Sequence, residues 1–193
     1  MFQIRIHGRG GQGVVTAAEL LSIAAFNDGA YAQAFPSFGS ERMGAPVTAF
    51  CRIDNKEIRL REPVTRPDAV IIQDPTLLHQ VDLFSGLMPS GYVLINSTQS
   101  FEVLGIGDFL AGFAADQVCT VPASDITLKH LGRPLPNAAL IGGFAALTGR
   151  VKLASVLTAI RGKFSGSIGE ANAAAATEAY DDVESRLKAG RER

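Results

Sequence analysis

The spacing of apolar and polar residues changes period several times along the chain. Phe2-Gln3-Ile4-Arg5-Ile6 alternates, which predicts a strand with one face in a core. Val14 to Phe26 has few breakers and apolar residues on successive turns, which predicts a helix. Ala30 to Ala34 reads as a second strand that runs into Phe35-Pro36. Val47 to Ile53 and Glu57 to Arg61 flank the turn-forming Asp54-Asn55-Lys56, which predicts a β-hairpin and hence a mixed sheet. Ala69-Val70-Ile71-Ile72 and Tyr92-Val93-Leu94-Ile95 are continuous apolar runs, typical of strands buried on both faces. Between them Pro75 is placed to open a helix through Leu83, with Asp74 either its cap or an acid for chemistry.

The second half reads as a broken helix over Phe101 to Phe113, a strand at Gln117 to Val121, and a helix from Ala123 to about Leu131. Ala138 to Leu147 is almost wholly apolar and carries Gly142-Gly143, so it predicts a buried helix with another backbone close by. An amphipathic helix over Leu153 to Phe164 and an Ala-rich one over Ile168 to Leu187 follow. The sum is one α/β domain over residues 1–187, three-layered and Rossmann-like, with a mixed, mostly parallel sheet and one β-hairpin. Residues 188–193 read as a frayed tail, and functional groups belong at the carboxyl ends of the parallel strands, where Asn96 and Ser97 also fall.

Composition narrows the function classes. The 193 residues are 47% hydrophobic, enough for one full core, and the net charge of −1 offers no basic face for nucleic acid. Met1 leads straight into the first strand, and the longest nearly uncharged apolar stretch, Ala138 to Thr148, is too short to span a bilayer. A cytoplasmic protein is expected. Cys51 and Cys119 are isolated in apolar runs, as buried thiols are, whereas metal or iron–sulfur ligands cluster at short spacing. His7, His79 and His130 are scattered, and no nucleophile elbow, Walker loop or carboxylate pair is present, so no catalytic set and no metal site are expected.

The chemistry that remains sits at Gly8-Arg9-Gly10-Gly11-Gln12-Gly13, between the first strand and the first helix. Glycines 8, 10 and 13 fit G-x-G-x-x-G, and a helix starting at Val14 points unpaired N–H groups at the turn, which favours an anion. A dinucleotide site also wants an acid at the end of the second strand; Asp28 lies before that strand and none follows it. His7, next to the turn, is placed to act as an acid or base or simply to belong to the strand. A second feature is the irregular stretch Phe35 to Pro46. Phe35, Pro36, Ser37, Phe38, Glu41 and Met43 on one loop suggest a surface covered in a working assembly, and Arg42 is suited to a phosphate or carboxylate. Residues alone leave three readings open: a subunit, a purely structural assembly element with no cofactor contact, or a free-standing Rossmann-like nucleotide-binding reductase.

Two long blocks carry a resemblance. The block from Gly8 to Leu21 and the block from Tyr31 to Val47 resemble the gamma subunit of 2-oxoacid:acceptor oxidoreductases of the pyruvate:ferredoxin type, and Gly132-Arg133-Pro134 with Asn137 fits as well. The family usually has a second Arg or similar residue where Met43 stands. The resemblance implies a subunit of an enzyme that oxidatively decarboxylates a 2-oxoacid with coenzyme A and passes electrons through iron–sulfur clusters. Thiamine diphosphate would then sit between alpha and beta partners, and [4Fe-4S] clusters in the beta partner and a ferredoxin-like delta partner. Ferredoxin, or NAD through a further subunit, would accept the electrons. This chain would itself bind neither thiamine diphosphate nor a cluster. Its glycine turn, with Arg9 or Arg42, would help shape the coenzyme A side of the site.

Overall fold

A computed structural model describes residues 1–37 and 43–191. Six strands form one sheet in the order β2-β3-β1-β4-β5-β6. They are β1 (Phe2–Arg9), β2 (Tyr31–Pro36), β3 (Pro46–Asp54), β4 (Ala69–Ile72), β5 (Tyr92–Asn96) and β6 (Val118–Val121). β1, β4, β5 and β6 run parallel, and β3 lies antiparallel between β1 and β2. The helices are α1 (Val14–Asn27), α2 (Gly107–Leu110), α3 (Ala123–Leu131), α4 (Asn137–Thr148), α5 (Leu153–Lys163) and α6 (Gly166–Arg191). The mixed, Rossmann-like α/β fold expected from the sequence is present.

The antiparallel element is in the sheet, but not where local turn chemistry put it. The partners of β3 are β1 and β2, and residues 57–61 form no strand. The reason is the layer above. Ala32 and Ala34 are small enough to pack against the core cluster that α1 helps to form, and they make Tyr31–Pro36 the better edge. Glu57, Arg59 and Leu60 face solvent instead, with Arg59 paired to Glu57 at 2.9 Å.

The two faces of the sheet are covered differently. Ile4, Ile6, Cys51 and Ile71 pack under α1 and α4, with α3, α5 and α6 joining the same cluster. Val70, Ile72, Val93 and Ile95 face the other way, onto Leu77, Leu83, Leu104, Ile106 and Leu110. That second cover is built from turns, the 3₁₀ turn Pro75–His79 and the four-residue α2, not from the longer helices expected over 75–83 and 101–113. Asp74 does cap the 3₁₀ turn, accepting the Thr76 N–H.

α4 explains its own composition. It lies between α6 and strands β5 and β6, and its apolar residues are buried all round. A side chain on Gly142 would reach within 2.0 Å of the Ala176 carbonyl oxygen of α6, so glycine is what lets the two backbones approach. α6 continues through Arg191, past the boundary expected at Leu187.

Candidate functional site at the glycine turn

The turn lies at the carboxyl edge of the sheet, in the crevice where the chain leaves β1 for β3 on one side and β4 on the other. Crevices of this kind are where open α/β sheets gather ligands. β1 extends to Arg9, so Gly8 is still a strand residue, opposite Val47. Its lack of a side chain serves packing: a Cβ there would lie 2.6 Å from Val14 Cγ2 and 3.1 Å from Gln73 Cβ. The turning is done by Gly11 (φ 93°) and Gly13 (φ 72°), both in the region that favours glycine. Gly13 is the N-cap of α1 and supplies no side-chain cap, so the first N–H groups of the helix face the turn unmet by any side chain among the described residues.

Side chains lock this geometry. Gln12 Oε1 accepts the Arg9 N–H at 2.7 Å, and Gln12 Nε2 donates to Asp74 Oδ2 at 2.8 Å. Arg9 Nε lies 3.2 Å from the same carboxylate oxygen. The Arg9 guanidinium also donates to Thr76 Oγ1 at 2.7 Å, Gln80 Oε1 at 2.9 Å and the Gly44 carbonyl at 3.0 Å. Burial acts to raise the Asp74 pKa, but hydrogen bonds from Thr76 and Gln12 and the charge of Arg9 outweigh it and hold the carboxyl below its usual range. Arg9 is therefore engaged within the chain, tying the turn to the 3₁₀ turn and to the segment at Gly44. An anion could recruit it only in exchange for some of these contacts.

The second block of the sequence comes to the first. Gly10 N–H donates to the Ala45 carbonyl at 2.9 Å and Gly44 N–H to the Gly10 carbonyl at 3.1 Å. These bonds hold Met43 over Gly11, with the residue 86% exposed. Pro36 and Ser37 are exposed as well, whereas Phe35 is half-buried, its ring tilted 40° to that of Phe50 with the centroids 5.1 Å apart. Phe38, Glu41 and Arg42 lie outside the described residues. An open pocket of about 250 Å³ adjoins the turn, lined by Arg9, Gly10, Gly11, Val15, Thr16 and Val47 among others.

Asn96 and Ser97 fall at the same edge, further along the sheet, beside a pocket of about 300 Å³ with Pro75, Thr98, Ser124 and Asp125. Asn96 is spent on structure: its amide donates to the Gln73 carbonyl and to Ser124 Oγ, each at 2.8 Å, and its oxygen accepts the Ser124 N–H. His7 is also structural. Arg5 Nε donates to its Nε2 at 3.0 Å, so Nδ1 carries the proton toward Thr48 Oγ1 at 3.2 Å. Burial, and then the charge of Arg5, push its pKa down to about 3, so the ring is neutral and no acid–base group at ordinary pH. Cys51 and Cys119 are both buried, and burial pushes both thiols up, Cys119 to about 11. Among the described residues no three His, Cys, Asp or Glu side chains are placed to hold a metal ion, and no helix is long and apolar enough to cross a membrane.

Two residues escaped the sequence reading. Gln73 follows β4, with both amide atoms buried and without a partner among the described residues. Asn137, noted only as part of a motif, points its amide at Gly13. Neither could be placed without knowing that β4 and α4 border the turn.

The pyruvate ferredoxin/flavodoxin oxidoreductase family model matches residues 3–182. The chain is 49% identical to a pyruvate synthase subunit PorC of Methanothermobacter thermautotrophicus, over 95% of this chain and 97% of that one. It is 48% identical to the common gamma subunit of the pyruvate/ketoisovalerate oxidoreductases of Pyrococcus furiosus, over 95% and 98% of the two chains. The crystal structure of the pyruvate oxidoreductase subunit PORC of Thermotoga maritima superposes with a TM-score of 0.79 at 36% identity, covering 93% of this chain and 95% of that one. With matches of this extent around a glycine turn and its clasping segment, the chain belongs to the pyruvate ferredoxin/flavodoxin oxidoreductase family, as a gamma-type subunit.

Proposed function

We propose that this chain works as a non-catalytic subunit of a coenzyme A-dependent 2-oxoacid:acceptor oxidoreductase. It packs on thiamine diphosphate-binding alpha and beta subunits, and the iron–sulfur clusters reside in beta and in a ferredoxin-like delta subunit. The glycine turn and the 35–46 segment face those partners. The N–H groups at the start of α1, with Arg9 and Arg42, shape the coenzyme A side of the site. The observation that carries this reading is Met43: a large apolar residue 86% exposed, yet lying over Gly11 of the turn and followed by a segment that the backbone bonds of Gly44 and Ala45 tie to Gly10. Rigid exposure of that kind suits a surface completed by a neighbour.

The test begins with anaerobic purification of the tagged chain from its native cells. Co-purification of thiamine diphosphate- and cluster-binding chains, with 2-oxoacid oxidation that requires coenzyme A, is the expected result. A colourless chain that comes down alone removes the subunit reading. In the complex, Arg9→Ala and Arg42→Ala should impair acyl-CoA formation while decarboxylation persists. An unchanged coenzyme A affinity in both removes the phosphate role.

A further inference from the structure

The charges of this chain are unevenly spread. All 18 lysines and arginines lie outside residues 67–128, a stretch that carries seven carboxylates. That stretch builds β4, β5 and β6 and the turns that cover the sheet face away from α1 and α4. The cover is thin and leaves large apolar residues in water: Val103 is 68% exposed, Phe109 46% and Val81 38%. His79 Cε1 lies 3.3 Å from the place of a Cβ on Gly105, which brings the turns of Val81 and Val103 together. The Phe109 ring centroid lies 4.6 Å from that of Phe84 and 5.6 Å from that of Phe113, so two half-buried rings hold the exposed one in place. A fixed, half-wet aromatic ring has little freedom left to lose on association, which suits it to anchor an interface.

The polar groups among these apolar ones share one sign. Asp82, Glu102, Asp108 and Asp116 are all exposed in the same two segments. None of the four is in an ion pair among the described residues. Arg5, whose charge acts on Asp82, is buried and donates to the Leu83 and Ser85 carbonyls at 2.8 Å each. Arg186, beyond β6, pairs with Asp182 at 3.0 Å.

We infer that this face docks a protein partner whose own surface is apolar and rimmed by lysine or arginine, with Phe109 as the anchor. The charge selects the occupant. Nucleic acid and anionic lipid headgroups are repelled, and a second copy seated face to face sets carboxylate against carboxylate. An apolar centre with an acidic rim is complementary to an apolar centre with a basic one. This surface goes beyond the subunit reading, which places its partners at the glycine turn and the 35–46 segment. It takes from that reading only the complex in which it is tested.

The test labels carboxylates with a water-soluble carbodiimide and glycine ethyl ester, in the free chain and in the complex purified from native cells, and reads the sites by mass spectrometry. Glu102 and Asp108 are expected to label in the free chain and to be protected in the complex. Without the ester, the carbodiimide is expected to join them to lysines of one partner chain. Phe109→Ala weakens affinity for that partner about thirtyfold, the loss of one anchoring ring. Should that variant fail to fold, Glu102→Lys combined with Asp108→Lys changes only exposed positions and still releases the partner. The inference is overturned if the complex forms and both carboxylates label as in the free chain, if the cross-links join two copies of this chain, or if the paired charge reversal leaves the partner bound. A chain that joins no complex removes the subunit reading, and a synthetic amphipathic helix of leucine and lysine then decides the surface. Binding to the parent, lost in the paired charge reversal and absent for the leucine–glutamate counterpart, upholds it; any other pattern overturns it as well.

Discussion

Gly142 and Gly143 are adjacent in α4, and replacing each by alanine should move stability in opposite directions. In an exposed helix interior, Gly to Ala gains about 1 kcal/mol because alanine loses less conformational freedom on folding. At Gly143 the added Cβ meets Val183 Cγ2 at 3.4 Å, Leu94 Cδ2 at 3.6 Å and Val121 Cγ1 at 3.7 Å, all ordinary contacts. Most of the gain should therefore survive. At Gly142 the Cβ lies 2.0 Å from the Ala176 carbonyl oxygen, 2.7 Å from its carbon and 2.8 Å from its Cα. Relief needs α4 and α6 to part by more than about 1 Å, and these are backbone atoms that cannot rotate aside. α4 cannot retreat either, since Leu94 and Val121 already touch it from the sheet side. Overpacking of this kind costs about 1–3 kcal/mol or more, so the net loss after the helix term is about 2 kcal/mol. For a chain of this size that lowers Tm by about 4–8 °C, while Gly143→Ala raises it by about 2–4 °C. Thermal unfolding followed by far-ultraviolet circular dichroism reads both. If Gly142→Ala melts at or above the parent, the close backbone approach of α4 to α6 is wrong.

Three further outcomes follow from the same structure. His7 has its folded pKa lowered to about 3 from the ordinary 6.5 of a histidine, so the unfolded chain binds the extra proton between those limits and stability falls as pH drops through that window. The loss is bounded by about 1.4 kcal/mol per pH unit, is absent above pH 7, and should flatten in His7→Gln, as urea midpoints at a series of pH values would reveal. Asp28 caps α5 from across the fold, accepting the Lys152 N–H and the Ser155 hydroxyl at 2.7 Å each, so Asp28→Ala should cost about 1–2 kcal/mol by urea unfolding, and Asp28→Asn much less. Asp74→Ala should release Arg9, Gln12 and Thr76 together. Hydrogen exchange at Gly10 and Gly44 should then speed up while α4 amides stay protected; uniform exchange across the chain would count against the local clasp.

What the sequence determined by itself is local. Ala69–Ile72 and the run from Tyr92 could be read as buried strands because an unbroken apolar run tolerates no wet face. The glycine turn could be placed because a strand period gives way there to a helix period, and α4 could be read as buried because it has no polar side to offer water. The two blocks that carry the family resemblance were equally visible, and they meet in space through Gly10, Gly44 and Ala45. What only the tertiary structure decided is which distant segments share an edge or a face. The Asp54-Asn55-Lys56 turn argued for a neighbour at 57–61, yet β3 pairs with β1 and β2, because pairing is set by what α1 can cover and not by the nearest turn. Asp74 read as a cap and is one, but its bond to Arg9 depends on β1 and β4 lying side by side. His7 looked free to carry a proton until β1 and β3 enclosed it between Arg5 and Thr48. The amide of Gln73 had no meaning in one dimension, since a buried polar group acquires its significance from the partners that folding does or does not bring to it.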